Sequence, residues 1–308
     1  MKNTAFVSHE DCSLHDTGWS HPDHQGRLPA ITRAVQRDMV ALWEPVQQIE
    51  ATHATVDDLL LVHTPAYVEQ VRAAADEARR AGRTLDLHGV PVSGASWDGA
   101  TAAVGTALTA VEAVLRGDVR NAFCLARPPG RDAAADAPGG SSLFNTPLIA
   151  ARHLRQRRDV GRVLVVYWGS SPPKAAANLA SRGEGIDLLS FHAAGDEATS
   201  IPGAALPRGS DGVLFEAALR TSLDDIAPGQ SPDFVILSAG FDILAGEPGG
   251  ALAVQPDDVY AITLALREWA DVRCGGRLVS VLDAGSAERD VARAVVQHLH
   301  ALAGLPPA

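Results

Sequence analysis

The 308-residue chain has few of the residues that disulfide frameworks, zinc knuckles and nucleic-acid-binding surfaces require. It contains 3 cysteines, and 37 Asp and Glu residues outnumber its 26 Lys and Arg residues, which gives a formal net charge of -11. Cys12, Cys124 and Cys274 lie far apart without a Cys-x-x-Cys pair, so neither a zinc knuckle nor a disulfide framework is indicated. Because this charge repels polyanions, we expect no nucleic acid and no anionic membrane among the partners.

Long apolar segments are also missing from the sequence. The start, MKNTAFVSHE, lacks the apolar core and cleavage site of a signal peptide. No later stretch approaches the roughly 20 apolar residues that span a bilayer. We therefore expect a cytoplasmic protein. The hydrophobic share of 46% is that of an ordinary globular chain, and we expect residues 1–308 to form a single domain.

Strand and helix patterns alternate along most of the chain, which predicts an α/β fold with one parallel β-sheet sandwiched by helices. In the first part, helices are predicted at Arg27–Ala41, Val56–Val62, Pro65–Ala81 and Ser96–Arg116. Five strands then end in loops at 127–136, 167–174, 192–196, 240–246 and 283–286. Since parallel strands share one carboxyl edge, these loops are expected to converge there and to form the functional site.

The polar residues of these loops are a poor set for metal chemistry. The strand in RVLVVYWGSSPPKAA runs into a turn that offers a phenol, a glycine, serines and prolines, with no base, acid or metal ligand. A catalytic zinc needs three protein ligands aimed at one point. Among the loop residues only Asp242 is well placed for such a role.

A series of segments over nearly the whole chain carries a resemblance to a known family. In chain order they read HPDHQGRLPAI, LLLVHTPAYVEQV, SWDGATAAVGTALTAV, ARPPGRDAAADAPGGSSLFNTPLIAA, GRVLVVYWGSSPP, IDLLSFH, PDFVILSAGFDILAGEP and GRLVSVLDAGS. Together they resemble the histone deacetylase and acetylpolyamine amidohydrolase family. The resemblance implies the arginase-deacetylase fold and, for an intact member, a zinc-dependent hydrolase.

The positions that match the family's catalytic residues carry other side chains. Where the family has a histidine pair after Arg-Pro-Pro-Gly, this chain has Arg131 and Asp132. The family's Asp-x-Asp-x-His-His segment supplies two metal ligands, and those two positions read Gly169 and Ser171. The third ligand is retained as Asp242.

The groups that bind the substrate in the family are replaced as well. The tyrosine that polarises the substrate carbonyl has become Ser286, and the aromatic wall of the channel reads Ser141. Because one carboxylate cannot hold a catalytic zinc, we expect no metal cofactor and no catalytic residues. The resemblance thus predicts a vestigial pocket made of Arg131, Asp132, Ser141, Tyr167, Gly169, Ser171, His192, Asp242 and Ser286.

Structural roles are expected for most of the polar groups that remain. Arg131 is predicted to point into the former metal site, to pair with Asp242 or Asp132, and so to fill the pocket from within. His192, at the end of a strand, is predicted to be a hydrogen-bonded core histidine. His21, Asp23 and His24 match a loop that serves structure in the family, and Cys124 is predicted to pack as a small apolar side chain.

Three functions remain open on this evidence. The favoured one is an inactive family member that acts by binding a small molecule or a protein partner. The alternative is a metal-free or altered-chemistry amidohydrolase that uses the remodelled pocket, in which Tyr167 and the carboxylates do acid–base work if burial shifts their pKa values. A conventional zinc deacetylase ranks last. The sequence also leaves open whether the protein forms a homo-oligomer.

Overall fold

The computed structural model describes residues 4–180, 185–195 and 199–308. Within these ranges the β-strands are β1 (Thr4–Ser8), β2 (Val46–Glu50), β3 (Leu85–Leu87), β4 (Val90–Val92), β5 (Asn121–Cys124), β6 (Val163–Trp168), β7 (Ile186–Ala193), β8 (Gly203–Leu206), β9 (Phe234–Ala239) and β10 (Leu278–Leu282). The α-helices are α1 (Arg27–Arg37), α2 (Met39–Leu42), α3 (Val56–Leu59), α4 (Pro65–Ala81), α5 (Ser96–Leu115), α6 (Thr146–Arg157), α7 (Ala176–Ala180), α8 (Gly212–Asp224), α9 (Asp258–Cys274) and α10 (Glu288–Ala303).

Eight of these strands form one parallel sheet in the order β2-β1-β5-β10-β9-β6-β7-β8. Every residue of β6 and of β9 is buried, because helices cover both faces of the sheet. Strands β3 and β4 form a separate antiparallel pair. The α/β fold with helices around a single parallel sheet, predicted from the sequence, is confirmed.

The five strands predicted from apolar runs are neighbours in this sheet. They are β5, β10, β9, β6 and β7, so the loops that follow them meet at one carboxyl edge, as expected. The predicted loop 192–196 ends at Asp196, which lies outside the described residues. The sequence patterns did not reveal β1, β2 and β8. Of these, β2 and β8 form the edges of the sheet, where fewer side chains are buried.

Local signals place most helix ends correctly. Thr64 caps α4 by accepting a hydrogen bond from the N–H of Tyr67, and Gly82 ends this helix with a left-handed φ of 63°. The predicted helix Arg27–Ala41 is wrong in one respect, since α1 ends at Arg37 and α2 begins at Met39. Between them, the carboxylate of Asp38 pairs with His300 on α10, a contact that no local pattern reveals.

The predicted helix Val56–Val62 also ends early, at Leu59. Pro65 opens α4 and holds Thr64 in an extended conformation, so the chain must leave the helical conformation before Thr64. The three cysteines are buried and free, and Cys124 packs in the core as predicted. Over the described ranges, no helix is both long and apolar enough to cross a bilayer.

Candidate functional site

A cavity of ≈ 220 Å³ opens at the carboxyl ends of the central strands. Residues from four segments line it, 22–27, 129–142, 242–248 and 283–286, together with Ser170. A larger groove of ≈ 520 Å³ lies at the opposite ends of β6 and β7, among side chains such as Leu164, Ile186 and Asp187. The smaller cavity is the better candidate site, because charged side chains from loops distant in sequence converge on it.

The base of this cavity is a buried ion pair. Nη2 of Arg131 donates a 2.9 Å hydrogen bond to Oδ2 of Asp242, and the hydroxyl of Ser170 donates a 2.6 Å bond to the same oxygen. Nε of Arg131 lies 3.7 Å from Oδ2 of Asp132. Arg131 therefore forms the ion pair that the sequence predicts, and its hydrogen-bonded partner is Asp242.

Arg131 and Asp242 each stabilise the charged form of the other. Burial favours a higher pKa for Asp242, but the charge of Arg131 and the hydrogen bonds from Ser170 and Arg131 outweigh it and lower the pKa. Burial also opposes the charge on Arg131, and the neighbouring carboxylates, Asp242 first, raise its pKa above the ordinary value. Both groups thus stay charged at neutral pH.

The guanidinium occupies the space that a side chain at position 169 needs. A Cβ atom built on Gly169 would lie 1.8 Å from Nη1 of Arg131. This is the position at which the resemblance places a metal-ligating aspartate. The residues present therefore do not fit a zinc ion: a cation fills the place of one ligand, Ser171 stands in the place of another, and Asp242 is already paired.

A second buried carboxylate lies close to the pair. Asp283 follows β10, is 2% exposed and accepts a hydrogen bond from the hydroxyl of Ser238. Burial raises its pKa from 3.8 to about 6, although the charge of Arg131 and the bond from Ser238 act in the opposite direction. Burial likewise raises the pKa of Asp132, against the charge of Arg131.

Tyr167 differs from these carboxylates in having no hydrogen-bond partner for its polar group in the described part of the chain. Its hydroxyl is buried. Burial, followed by the charge of Asp283, raises its pKa well above 10. Burial therefore shifts the pKa of Tyr167 away from neutral pH, so this shift does not turn the phenol into a base.

Ser286 is held by a residue that the sequence reading missed. Glu247 is buried and accepts 2.8 Å hydrogen bonds from the backbone N–H groups of Ser286 and Ala287 and a 2.7 Å bond from the Ser286 hydroxyl. These amides lead into the N-terminus of α10. Ala287 precedes that helix, and its side chain cannot cap the free N–H groups. An alanine at this position was the sequence signal that a residue from elsewhere must cap the helix.

The remaining predicted residues divide between the cavity wall and the core. Of the nine, Arg131, Asp132, Ser141, Asp242 and Ser286 line the cavity, whereas Tyr167, Gly169, Ser171 and His192 are not part of its lining. His192 is buried with Nδ1 3.0 Å from the hydroxyl of Ser190, consistent with a core histidine. The prediction that Arg131 fills the pocket from within holds for its base, beside which a cavity of ≈ 220 Å³ remains open.

The segment that contains His21, Asp23 and His24 supports the wall of the cavity. Asp23 is buried, with Oδ1 2.7 Å from Nη2 of Arg27 and 3.4 Å from Nε of Arg127. His21 accepts a hydrogen bond from the N–H of Asp23, so its ring nitrogen Nδ1 is used inside the turn. These contacts of His21 and Asp23 agree with the structural role predicted for this segment.

Comparisons with known proteins agree with the family resemblance. The family described as "Histone deacetylase domain" matches residues 21–302. The human protein "Polyamine deacetylase HDAC10" is 28% identical over 330 residues, which cover 98% of this chain and 48% of the human protein. The Pseudomonas aeruginosa "Histone deacetylase-like amidohydrolase" is 27% identical over 318 residues, covering 93% of this chain and 82% of that protein.

A solved structure extends the likeness to the whole described fold. The "Crystal Structure of HDA15 HD domain" superposes with a TM-score of 0.87 at 25% identity, covering 100% of this chain and 90% of the other. The chain spans about half the length of the human relative. On the match to residues 21–302, the chain belongs to the histone deacetylase family.

Proposed function

We propose that this histone deacetylase-family protein is catalytically inactive and acts by binding a small, positively charged ligand in the cavity at the carboxyl edge of the sheet. The observation that carries the proposal is the Arg131 guanidinium, which lies against Gly169 and donates to Asp242. A guanidinium stays protonated and accepts no proton, so it cannot replace a histidine base. Its hydrogen bond also occupies Oδ2 of Asp242, the one metal-ligand position that the resemblance finds retained.

The charge of the cavity wall favours a cationic ligand. Two guanidiniums face it, from Arg27 and Arg131, but they are outnumbered by the carboxylates of Asp23, Asp132, Asp242, Glu247 and Asp283. Oδ1 of Asp242 is buried without a hydrogen-bond partner in the described part of the chain. An ammonium group would donate hydrogen bonds to such a wall and reduce its negative charge.

The size of the cavity limits the ligand. At ≈ 220 Å³ it is smaller than the roughly 300–1,000 Å³ of pockets for drug-sized molecules. A short alkylamine, or the terminal aminoalkyl group of a longer amine, is the chemical class that fits. A relative whose name is "Polyamine deacetylase" supports an amine as the ligand. Of the two binding roles that the sequence leaves open, the cavity favours a small molecule over a protein partner.

One observation supports the alternative, a metal-free amidohydrolase. Asp283 lines the cavity, and a carboxyl with a pKa of about 6 is suited to act as a general base near neutral pH. Two observations weigh against this alternative. Tyr167 stays protonated because its pKa is raised, and Arg131 cannot accept a proton as a second base next to Asp283. We therefore rank amine binding above metal-free catalysis.

Deacetylation assays test whether the protein is catalytically inactive. The protein, with added Zn²⁺ and separately with a chelator, is incubated with an acetyl-lysine peptide and with N-acetylputrescine, beside an active amidohydrolase of the family. We expect no deacetylation above background in either condition. Turnover that needs Zn²⁺ and is lost in Asp242→Asn contradicts the proposal, whereas turnover that persists with the chelator and is lost in Asp283→Asn establishes the alternative.

Ligand titrations test the binding. Propylamine and propanol have the same length and differ in charge, so they form a matched pair for calorimetry or NMR titration. We expect propylamine to bind more tightly than propanol, and Asp283→Asn to weaken the amine by about tenfold, which is about 1.4 kcal/mol. Equal binding of the two compounds, or no binding of either, contradicts an amine ligand.

A further inference from the structure

Three side chains with metal-binding groups meet beyond the carboxyl ends of β1 and β2, and none of them lines the cavity. His9 follows β1 directly, Asp11 lies in the 3₁₀ helix Glu10–Ser13, and His53 follows β2. One ring nitrogen of each histidine and one carboxylate oxygen of Asp11 lie within 4.8 Å of one another. Strands β5 and β10 separate β1 from β9, which leads to Asp242, so this cluster is distinct from the site described above.

The ring of His53 is oriented by Thr101 on α5. Its Nδ1 lies 2.8 Å from Oγ1 of Thr101, and that hydroxyl in turn donates to the backbone carbonyls of Trp97 and Asp98 at 3.0 and 3.1 Å. Carbonyls only accept hydrogen bonds; with the hydroxyl proton directed to one of them, Nδ1 of His53 is the donor to Oγ1. In the neutral imidazole the other nitrogen, Nε2, then carries a lone pair, which is the form that binds metals.

That nitrogen faces a carboxylate. Nε2 of His53 lies 2.9 Å from Oδ2 of Asp11. A nitrogen lone pair and a carboxylate oxygen repel each other at this distance unless a positive charge lies between them. A proton on Nε2 can supply this charge, and so can a metal ion bound to both atoms.

The spacing of the third group suits a metal ion. Nδ1 of His9 lies 3.9 Å from the same oxygen of Asp11, and the centres of the two imidazole rings are 4.4 Å apart. With bonds of about 2.0–2.2 Å, the ligand atoms of a tetrahedral zinc are about 3.4 Å from one another. The two observed separations from Asp11, 2.9 and 3.9 Å, lie on either side of this value. A metal at Nδ1 takes the place of the hydrogen bond that this atom accepts from the N–H of Asp11.

We propose that His9, Asp11 and His53 form a site for a divalent transition-metal ion. Two imidazoles and one carboxylate are the donors that Zn²⁺ and its neighbours in the first row prefer, whereas Mg²⁺ and Ca²⁺ prefer oxygen ligands. The three side chains are 13%, 22% and 39% exposed, so an ion can enter from solvent and keep water on its remaining positions. A bound ion ties the segment after β1 to the segment after the edge strand β2.

Metal titration of the whole chain tests the site. Metal-free protein is titrated with Zn²⁺ by calorimetry, and Co²⁺ binding is followed by visible absorption, for the wild type and for Asp11→Asn, His53→Gln and His9→Gln. We expect one equivalent to bind the wild type and to raise its melting temperature, with affinity at least tenfold lower in each variant. Controls are His88→Gln, which removes an exposed histidine elsewhere, and Asp242→Asn, which alters the cavity.

The outcomes separate this site from the cavity and from the proposed function. Both controls are expected to bind Zn²⁺ as the wild type does. Absence of binding to the wild type, or unchanged affinity in Asp11→Asn and His53→Gln, overturns the proposal. Loss of binding in Asp242→Asn alone assigns the metal to the cavity instead. If metal-free Asp11→Asn has a lower melting temperature than the wild type, the test rests on the two histidine variants. The side chains of His9 and His53 are partly exposed, so replacing them should disturb the fold less.

Discussion

Replacing Arg131 by alanine is the most direct test of the electrostatic argument for the cavity. The change leaves the mostly buried carboxylate of Asp242 without its cation. Removing one partner of a buried ion pair costs roughly 3–5 kcal/mol. Because Asp242 keeps the hydrogen bond from Ser170 and the adjacent cavity can admit water, we expect the lower end of this range, about 3 kcal/mol.

A double-mutant cycle separates the stranded charge from lost packing. Arg131→Ala combined with Asp242→Asn removes the charge that the single variant strands, so we expect the pair of changes to recover at least about 1.5 kcal/mol. Arg80→Ala, at an exposed position on α4, is the matched control and is expected to change the stability by less than about 0.5 kcal/mol.

The pH dependence gives a second, independent signature of the same charge. In the wild type the pKa of Asp242 is lowered, so its contribution is present above the ordinary value of 3.8 and is lost only below it. Without Arg131, burial raises this pKa, and the folded variant binds a proton more tightly than the unfolded chain does. The stability difference between variant and wild type should therefore shrink as the pH falls from about 7 to about 5.

Urea unfolding, followed by tryptophan fluorescence and circular dichroism at both pH values, measures these quantities. An Arg131→Ala variant within about 0.5 kcal/mol of the wild type would refute the reasoning, as would single-variant effects that simply add in the double variant. A difference that grows on acidification would show that Asp242 is not the carboxylate that Arg131 neutralises.

Three further changes probe the surroundings of this pair. Gly169→Ala places a Cβ 1.8 Å from the guanidinium and should cost about 3 kcal/mol in urea unfolding, whereas Gly195→Ala, whose Cβ would meet nothing within 4 Å, should be nearly neutral. The pKa of Asp283 is raised from 3.8 to about 6, so the wild type should lose stability as the pH rises from about 4 to about 6. Asp283→Asn should abolish this loss and stabilise the protein at neutral pH by up to about 3 kcal/mol. Parallel curves of stability against pH for variant and wild type would exclude this. Glu247→Gln weakens the acceptor for two amides before α10 and should cost about 2 kcal/mol, with faster hydrogen exchange in the first turn of that helix; unchanged exchange would contradict the capping role.

The sequence by itself determined the parts of this protein that depend on local patterns. Apolar runs such as Val163–Val166 predict the five strands that lie side by side, because a strand buried on both faces needs apolar residues throughout. The identities of Arg131, Gly169 and Ser171 also predict, through the family resemblance, that the zinc site lacks its ligands, since the identity of a ligand is a property of one position. The single domain and the cytoplasmic location stay predictions.

Only the tertiary structure decided which distant groups meet. Asp132 is the neighbour of Arg131 in sequence, yet the hydrogen-bonded partner is Asp242, because β9 and β6 are adjacent and the loop after β9 lies over Gly169. Glu247 reaches Ser286, and His53 reaches Asp11, across separations that no periodic pattern encodes. Such contacts depend on strand order and loop packing, which bring together side chains whose local sequences carry no signal of one another.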